Sequence, residues 1–573
     1  MHWLAGRSTG TSIAGALAVG GAILWVLPPP ARVIEVDSSQ RTEAAAPATT
    51  VRGAFHVHSR WSDGSGTVDE IAAAAAAAGL DFVLLTDHGD ATASRPPSYR
   101  HGVLVIQGVE IGTDGGHYVA LGLPAAPYPL GGDARGVVED VRRLGGFGVV
   151  AHPTSPRAAL AWADWSLPVD GIEWLNLDSQ WRDDGLFALL RAAGGYWFRA
   201  PQSIASLLAR PERALSRWDT LAAEREVVGL GAIDAHANLP LGDDDDGYGG
   251  RAGLRLPGYE STFRVLALRV ELDQPPAGDA AVDAGRLLEQ LRAGRVYTAV
   301  DALANPVRFA YTGLTAGGRQ VQMGERTLPE DGLTLTATVA GPPEATLRLL
   351  RNGRTVAQGT GPVLAHPVAR DDEPGAYRVE VALPGAPGRP PVPWIVGNPI
   401  YVGAAAEAAP ARDRSVTSLP PPGDSWQVER RTDAAATLTQ DDNGFRLAFT
   451  LGNRADTYAA AARTFRRGAL AGAAALSFHV EASQPMRASL QLRREPAGGI
   501  AARWRRSFYA GPERRLVRAA IDEFAPAWSE VPAPPELAAV DSLLIAVDTV
   551  NTAPGSSGVL TIEDIRVEPR RSR

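Results

Sequence analysis

Between residues 51 and 236, six short apolar runs each end on, or begin with, a side chain able to hold a metal ion. They are Gly53-Ala-Phe-His56-Val-His58, Asp81-Phe-Val-Leu-Leu-Thr-Asp87-His88, Val103-Leu-Val-Ile-Gln-Gly-Val-Glu110, His117-Tyr-Val-Ala-Leu-Gly-Leu, Phe147-Gly-Val-Val-Ala-His152 and Val227-Val-Gly-Leu-Gly-Ala-Ile-Asp234-Ala-His236. A run of roughly four to eight apolar residues reads as a strand buried on both faces. Five of the six carry their polar residue at the C-terminal end, where parallel α/β barrels assemble active sites. That pattern implies strand ends converging on cations, and hence a metal-dependent hydrolase.

The rest of the chain is read around those strands. Helical stretches are expected at Thr67–Gly79, with a threonine N-cap, early acids and a glycine stop, and at Gly136–Leu144, Gly185–Ala193, Arg213–Arg225 and Asp283–Ala293. Strand–helix alternation over 51–306 indicates an α/β barrel. Near Asn305-Pro306 the period changes. Alternating runs such as Leu333-Thr-Leu-Thr-Ala-Thr-Val, with the turn Asn352-Gly353, predict a small Ig-like β-sandwich over 307–403. An Ala/Pro-rich linker (404–423) leads to a second alternating region, 424–569, expected to be a β jelly roll.

At the N-terminus, Ser12–Leu27 is apolar or small, follows Arg7 and stops at three prolines. Sixteen helical residues reach roughly 24 Å, slightly short of a ~30 Å hydrocarbon core. Residues 1–28 therefore read as a signal anchor or a cleaved secretory signal, and 29–50 as a tether. The expected location is the cell envelope, with the catalytic part outside the cytoplasm, or the exterior. Composition excludes more than it suggests. The chain has no cysteine, and its 56 basic residues are all arginine. Thiol nucleophiles, cysteine zinc sites, Schiff-base lysines and lysine-bearing phosphate loops are thereby removed. A net charge of −8 gives no reason to expect nucleic acid.

Hydrolysis assisted by divalent cations needs neutral imidazoles, carboxylates and open coordination positions. His-x-His on a strand places both rings on one face, so His56 and His58 are expected to enter one cavity, with Asp234 and His236 repeating the spacing on the last strand. His88, Glu110 and His152 join them at strand ends. Seven of the ten histidines lie between 56 and 236.

His56-x-His58 with Ser62-Asp63-Gly64, Thr86-Asp87-His88, Gly108-Val-Glu110, Gly116-His117, Ala151-His152-Pro153 and Asp234-x-His236 resembles the motif series of the PHP (polymerase and histidinol phosphatase) superfamily. Gly171-Ile-Glu173-Trp-Leu-Asn176 and Leu287–Tyr297 resemble its CehA/McbA-like branch. The resemblance implies a distorted (β/α)7 TIM-like barrel and two or three divalent ions (Mn, Zn or Fe). His56, His58, Glu110 and Asp234 would hold the first; Glu110, His117 and His152 the second; Asp63, His88 and His236 the third. It further implies a metal-activated water acting on a small phosphoester, or on a carboxylic or carbamate ester. The family's Gly-Ser before the last pair is replaced here by Ala232-Ile233, which removes a supporting hydroxyl. Asp87 and Glu173 are expected to orient the site or move protons, and Arg60 to assist at its mouth.

Other residues have plainer readings. His101 and Asp243–Asp246 read as solvated loops, the latter lacking calcium-loop spacing. Arg493, Arg494, Arg503, Trp504, Arg505, Arg506, Phe508 and Tyr509 would take a carbohydrate or acidic polymer, or simply alternate toward solvent on a strand. The rival class is a non-enzymatic envelope protein that binds through its β domains.

Overall fold

The computed structural model describes residues 27–34, 49–182, 185–239, 254–305, 307–330, 332–404, 417–418, 425–494, 502–526 and 534–570. The expected anchor up to residue 26, most of the tether and linker, and the acidic run Asp243–Asp246 lie outside them. Among the described residues, no helix is long and apolar enough to cross a membrane.

The first region runs β1 (Thr49–Val57), α1 (Val68–Ala77), β2 (Phe82–Leu85), β3 (Val103–Gln107), β4 (Val109–Thr113), β5 (Gly116–Leu121), α2 (Ala134–Arg143), β6 (Phe147–Val150) and β7 (Gly171–Asn176). It continues with α3 (Leu177–Arg182), α4 (Leu186–Ala205), α5 (Glu212–Glu224), β8 (Val228–Ala232), α6 (Tyr259–Phe263), β9 (Ala267–Leu272), α7 (Ala280–Arg292) and β10 (Val296–Ala299). Thr67 caps α1 through a reciprocal bond with Glu70, as its sequence predicts. The helix expected over Gly185–Ala193 runs on to Ala205 across a kink at Arg199, two residues before Pro201.

The strands are buried on both faces because each feeds two cores. In β2, Phe82 and Leu84 pack inward with Phe55, Ile106, Val119 and Leu230. Val83 and Leu85 pack outward against the layer containing Ile71, Tyr118 and Trp218.

The structure departs from the expected distorted (β/α)7 TIM-like barrel in two respects. The strands fall into two sheets. One has the order β8-β7-β6-β5-β4, and β9, β1, β2 and β3 belong to the other. The sheets meet at isolated bridges, Val57 to Ala235 and His88 to Glu110, and through backbone bonds such as Gly108 N–H to the Leu85 carbonyl and Ile233 N–H to the Phe55 carbonyl. Moreover, β4–β5 and β5–β6 are antiparallel. The cause is local: Asp114-Gly115 closes a two-residue hairpin between Thr113 and Gly116, leaving no room for a crossover helix. Gly108 makes the transfer between sheets, since a Cβ there would lie 2.5 Å from Leu121 Cδ2 and 2.8 Å from the Ala120 carbonyl.

The second region is not separated from the first by a gap. Tyr297–Ala299 of β10 pairs antiparallel with Ile395–Gly397, so one twelve-stranded sheet continues past residue 307. A four-stranded antiparallel sheet (Gln320–Gln322, Arg308–Leu314, Leu333–Ala340, Val363–Val368) completes this sandwich around Tyr311, Leu335, Val379 and Trp394. Part of the expected tether is docked here, with Arg32–Val33 running parallel to Ala304–Asn305. From 417 to 570, two six-stranded antiparallel sheets, one of them including Thr417–Ser418, enclose Phe445, Phe478, Trp504, Phe508 and Ile545, giving the second β-sandwich.

The arginine–aromatic cluster of this last region is largely buried instead of solvated. Trp504 and Phe508 lie in its core. Arg506 Nη2 donates to Glu139 at 2.8 Å, Arg505 pairs with Asp114, and Arg493 binds Glu429 at 2.7 Å. Arg487, on the paired strand, donates to Asp140 at 3.0 Å and Glu139 at 2.7 Å. Arg487 and Arg506 thus join the sandwich to α2 and Arg505 joins it to the β4–β5 turn, whereas the Arg493 pair lies within the sandwich; buried charges such as Arg487 and Asp140 persist only when paired.

Candidate metal centre

Three of the candidate ligands occupy left-handed backbone: His56 (φ 65°), His152 (φ 25°) and Asp234 (φ 53°). Such conformations cost on the order of 1–3 kcal/mol for a non-glycine residue and cluster at functional sites. At His56 the turn shifts the β1–β2 register between Phe55 and Val57. His56 and His58 nonetheless enter one cavity, with ring centroids 5.1 Å apart. Simple strand alternation is therefore replaced by a bulge that re-aims the first ring.

Glu110, at the head of β4, is the hub. Its Oε1 lies 2.7 Å from His117 Nδ1 and 2.9 Å from His152 Nε2. Its Oε2 lies 3.1 Å from His56 Nε2, 3.2 Å from His58 Nε2 and 3.3 Å from His88 Nδ1. Asp234 Oδ1 stands 3.3 Å from His56 Nε2 and 3.4 Å from His58 Nε2. Asp63 reaches His58 Nδ1 at 3.3 Å, His236 Nε2 at 3.2 Å and His88 Nε2 at 3.6 Å. Asp63 can do so because the loop after β1 folds tightly back: a Cβ on Gly64 would meet the His58 carbonyl at 2.2 Å.

The structure thus places all nine candidate ligands in one cluster. Three overlapping groups could each hold a cation: His56, His58 and Asp234; His88, Glu110 and His117; His58, Asp63, His88 and His236. This grouping differs from the one the family resemblance implies, because His88 stands nearer Glu110 and His58 also faces Asp63. The donor chemistry fits divalent transition ions. Six imidazoles and three carboxylates converge, and the wholly buried His58 Nε2 makes no hydrogen bond despite two carboxylates beside it.

Electrostatics follow from this crowding. Burial alone would lower the pKa of His56, but Asp234, Glu173 and Glu110 raise it well above the usual imidazole value. Burial likewise opposes charge on His58, where Asp234, Asp63 and Glu110 prevail and raise it. Burial would raise Glu110, yet His56, His88, His117 and His152 hold it well below the carboxylate range. Asp63 is lowered, against burial, by His236, His58 and His88. The cations would replace the protons these rings share with the carboxylates.

Glu173 and Asp87 have structural tasks. Glu173, fully buried on β7, sets Oε1 2.5 Å from His56 Nδ1. Its Oε2 accepts from the His152 backbone N–H at 2.6 Å and from Asn176 Nδ2 at 2.8 Å. Asp87 accepts from Ser59 N–H (2.7 Å), Ser59 Oγ (2.8 Å) and Ser62 Oγ (2.7 Å), fixing the loop that carries Asp63. Arg60 takes no part in the cluster; its Nε donates to the Ser65 carbonyl at 2.7 Å, and its head lies 4.0 Å from Glu70 at the surface. His101 is likewise superficial, 3.1 Å from Asp69.

Tyr259 was not foreseen. Its hydroxyl donates to the His58 carbonyl at 2.7 Å, lies 3.0 Å from the His236 carbonyl, and accepts from Gly66 N–H at 3.2 Å. It ties the first and last ligand pairs together from residue 259, and no motif marks it.

A scan against protein-family models finds no match, and a search of the curated proteins finds none. Solved structures do match. A two-domain protein from Bacteroides vulgatus containing a predicted PHP-like metal-dependent phosphoesterase is 16% identical, covering 64% of this chain and 100% of its own, with a TM-score of 0.28. A family 11 carbohydrate-binding module from Clostridium thermocellum, in complex with a β-1,3-1,4-mixed-linked tetrasaccharide, is 12% identical, covering 29% of this chain and 100% of its own, with a TM-score of 0.24. Likenesses this distant leave the site to be judged on its own geometry.

Proposed function

We infer that the chain is a metal-dependent hydrolase, with a phosphoester as its leading substrate class. The observation that carries this reading is Glu110, one buried carboxylate approached within 3.3 Å by the nitrogens of five histidines. So many imidazoles around one carboxylate form a poor hydrogen-bond network and a good multinuclear ligand set.

His56, His58, Asp63, His88, Glu110, His117, His152, Asp234 and His236 would hold two or three divalent ions. Bound cations supply acidified water and neutralise charge on the ester oxygens. The remaining work belongs to positioning. Glu173 accepts a hydrogen bond from the Nδ1–H of His56, which keeps the proton on that nitrogen and leaves the Nε2 lone pair facing Glu110 and Asp234. The same carboxylate fixes the backbone of His152, so one side chain aims two ligands from different strands. Asp87 keeps the Ser59–Ser62 loop closed and thereby directs Asp63. Phosphoesters lead over carboxylic and carbamate esters because several overlapping cation sites match the several anionic oxygens of a phosphoryl group.

The test is a substrate panel on the full chain, stripped by chelation and reloaded separately with Mn, Zn or Fe. Turnover of phosphomonoesters or phosphodiesters is expected. Turnover of aryl carbamates or carboxylic esters alone would reassign the substrate class. Stoichiometric metal with no turnover of any ester would refute the hydrolase reading in favour of a binding scaffold.

A further inference from the structure

Helix α4 carries five large apolar side chains that stand exposed among the described residues. Leu186, Phe187, Leu190, Trp197 and Phe198 are 68, 79, 57, 77 and 66% exposed. Single exposed apolar residues are ordinary, but these share a face. At about 100° per residue they fall at roughly 0, 100, 40, 20 and 120°, an arc of about one third of the helix. The opposite side faces the protein: Gly195 is buried, and the Tyr196 hydroxyl accepts from Gly258 N–H at 3.0 Å and meets Ser261 Oγ at 2.9 Å. Residues 186–205 include Arg191 and Arg199 and no acid.

A second observation says what covers this face. Arg199, at the kink ending the exposed stretch, donates from Nη1 to the Pro28 carbonyl at 2.7 Å. The residues immediately before Pro28 are the apolar run Ser12–Leu27. This long apolar run therefore joins the folded region at the end of the helix that exposes Leu186, Phe187, Leu190, Trp197 and Phe198. Sixteen uncharged, apolar or small residues have the composition of a segment that partitions into a bulk apolar phase. Two copies packed face to face would bring Arg191 and Arg199 together with no acid from this helix to pair them. An aromatic and leucine face flanked by arginine suits the boundary between headgroups and acyl chains, where such helices sink about 5–10 Å.

We propose that α4 is a membrane-contact helix that lies along a lipid bilayer surface with Leu186, Phe187, Leu190, Trp197 and Phe198 immersed. This goes beyond the hydrolase reading and does not depend on it. The contact would fix the orientation of the metal centre on the bilayer, since Tyr196 holds Gly258 next to the Tyr259 that braces His58.

The chain lacks cysteine, so a single introduced thiol reports one position. Full-length Leu190→Cys, Trp197→Cys and, as a distant control, Val363→Cys (53% exposed in the wild type) would each carry an environment-sensitive fluorophore. Each would be reconstituted into phosphatidylcholine–phosphatidylglycerol vesicles with or without spin-labelled lipid. The expected result is a blue shift and strong quenching by spin labels near the headgroups at 190 and 197, and neither at 363. Vesicle-bound protein whose 190 and 197 labels are not quenched would overturn the proposal. So would a blue shift without quenching, whether it varies with protein-to-lipid ratio (a second copy) or not (coverage by residues 12–27), and so would failure to bind vesicles.

Discussion

Replacing Glu173 with glutamine tests the site through a single proton. The change preserves size but obliges one end of the side chain to donate. Glu173 Oε2 already accepts two hydrogen bonds, from His152 N–H and Asn176 Nδ2, so the amide oxygen must take that place. The new NH2 then faces His56 Nδ1, 2.5 Å from the present Oε1. His56 Nδ1 becomes an acceptor and the ring proton moves to Nε2, the atom directed at Glu110 and Asp234. A protonated Nε2 cannot bind a cation. Loss of such supporting contacts typically costs about 10–100-fold in metal affinity, equivalent to about 1.4–2.8 kcal/mol. Metal affinity would be measured by chelator competition with Mn and Zn on wild type and Glu173→Gln, with circular dichroism to show that the fold survives. A folded variant binding either ion as tightly as wild type would refute the argument that Glu173 sets the His56 tautomer.

Glu110→Gln should lower bound metal in elemental analysis more than any other single carboxylate substitution, because five histidines lose a shared anionic partner. Chelation of the wild type should reduce thermal stability; at free metal about 100-fold above Kd, binding contributes about 2.7 kcal/mol, read as a fall in Tm. Arg487→Ala leaves the buried Asp140 with only Tyr128 and Arg143 as partners. Breaking a buried pair costs about 3–5 kcal/mol, and the surviving Arg143 places this case near the lower figure, measurable by urea denaturation. Burial on β9 pushes the Glu271 carboxyl up to about 7 despite Arg295. A raised acid is fully compatible with folding below its unfolded value of 4.5 and costs stability as pH rises through about 7. Glu271→Gln should therefore match wild type below pH 4.5 and exceed it above pH 8, by at most about 3.5 kcal/mol at 1.4 kcal/mol per pH unit; Tm against pH checks the sign.

Legibility in the sequence followed the physics of each signal. Buried strands ending in ligands were visible as apolar runs, because a strand covered on both sides must be apolar throughout. The parallel order of the sheet was overestimated, since strand–helix alternation gives no direction. The Asp114-Gly115 pair, a strong hairpin signal, marked the reversal and lay between two ligand-bearing segments. Ligand clustering was legible from spacing, but the partition among cations was not, because the left-handed turns at His56, His152 and Asp234 re-aim side chains without altering composition. Tyr259 was invisible because its role depends on two carbonyls far from it in sequence. The arginine cluster misled because burial of paired charges leaves the same alternating pattern as exposure.

The ladder between Tyr297–Ala299 and Ile395–Gly397 bears on how this protein can be dissected. Expressing residues 51–306 alone would strip β10 of its neighbour and expose a raw row of amide and carbonyl groups, inviting recruitment of foreign strands. Asn398, which bonds Gly229 and Val296 from beyond that cut, would be lost with it. Insolubility of such a fragment would reflect a severed edge and not a defective hydrolytic centre, so any informative piece must extend at least past residue 403, and the full chain also keeps the buried Arg487–Asp140 pair.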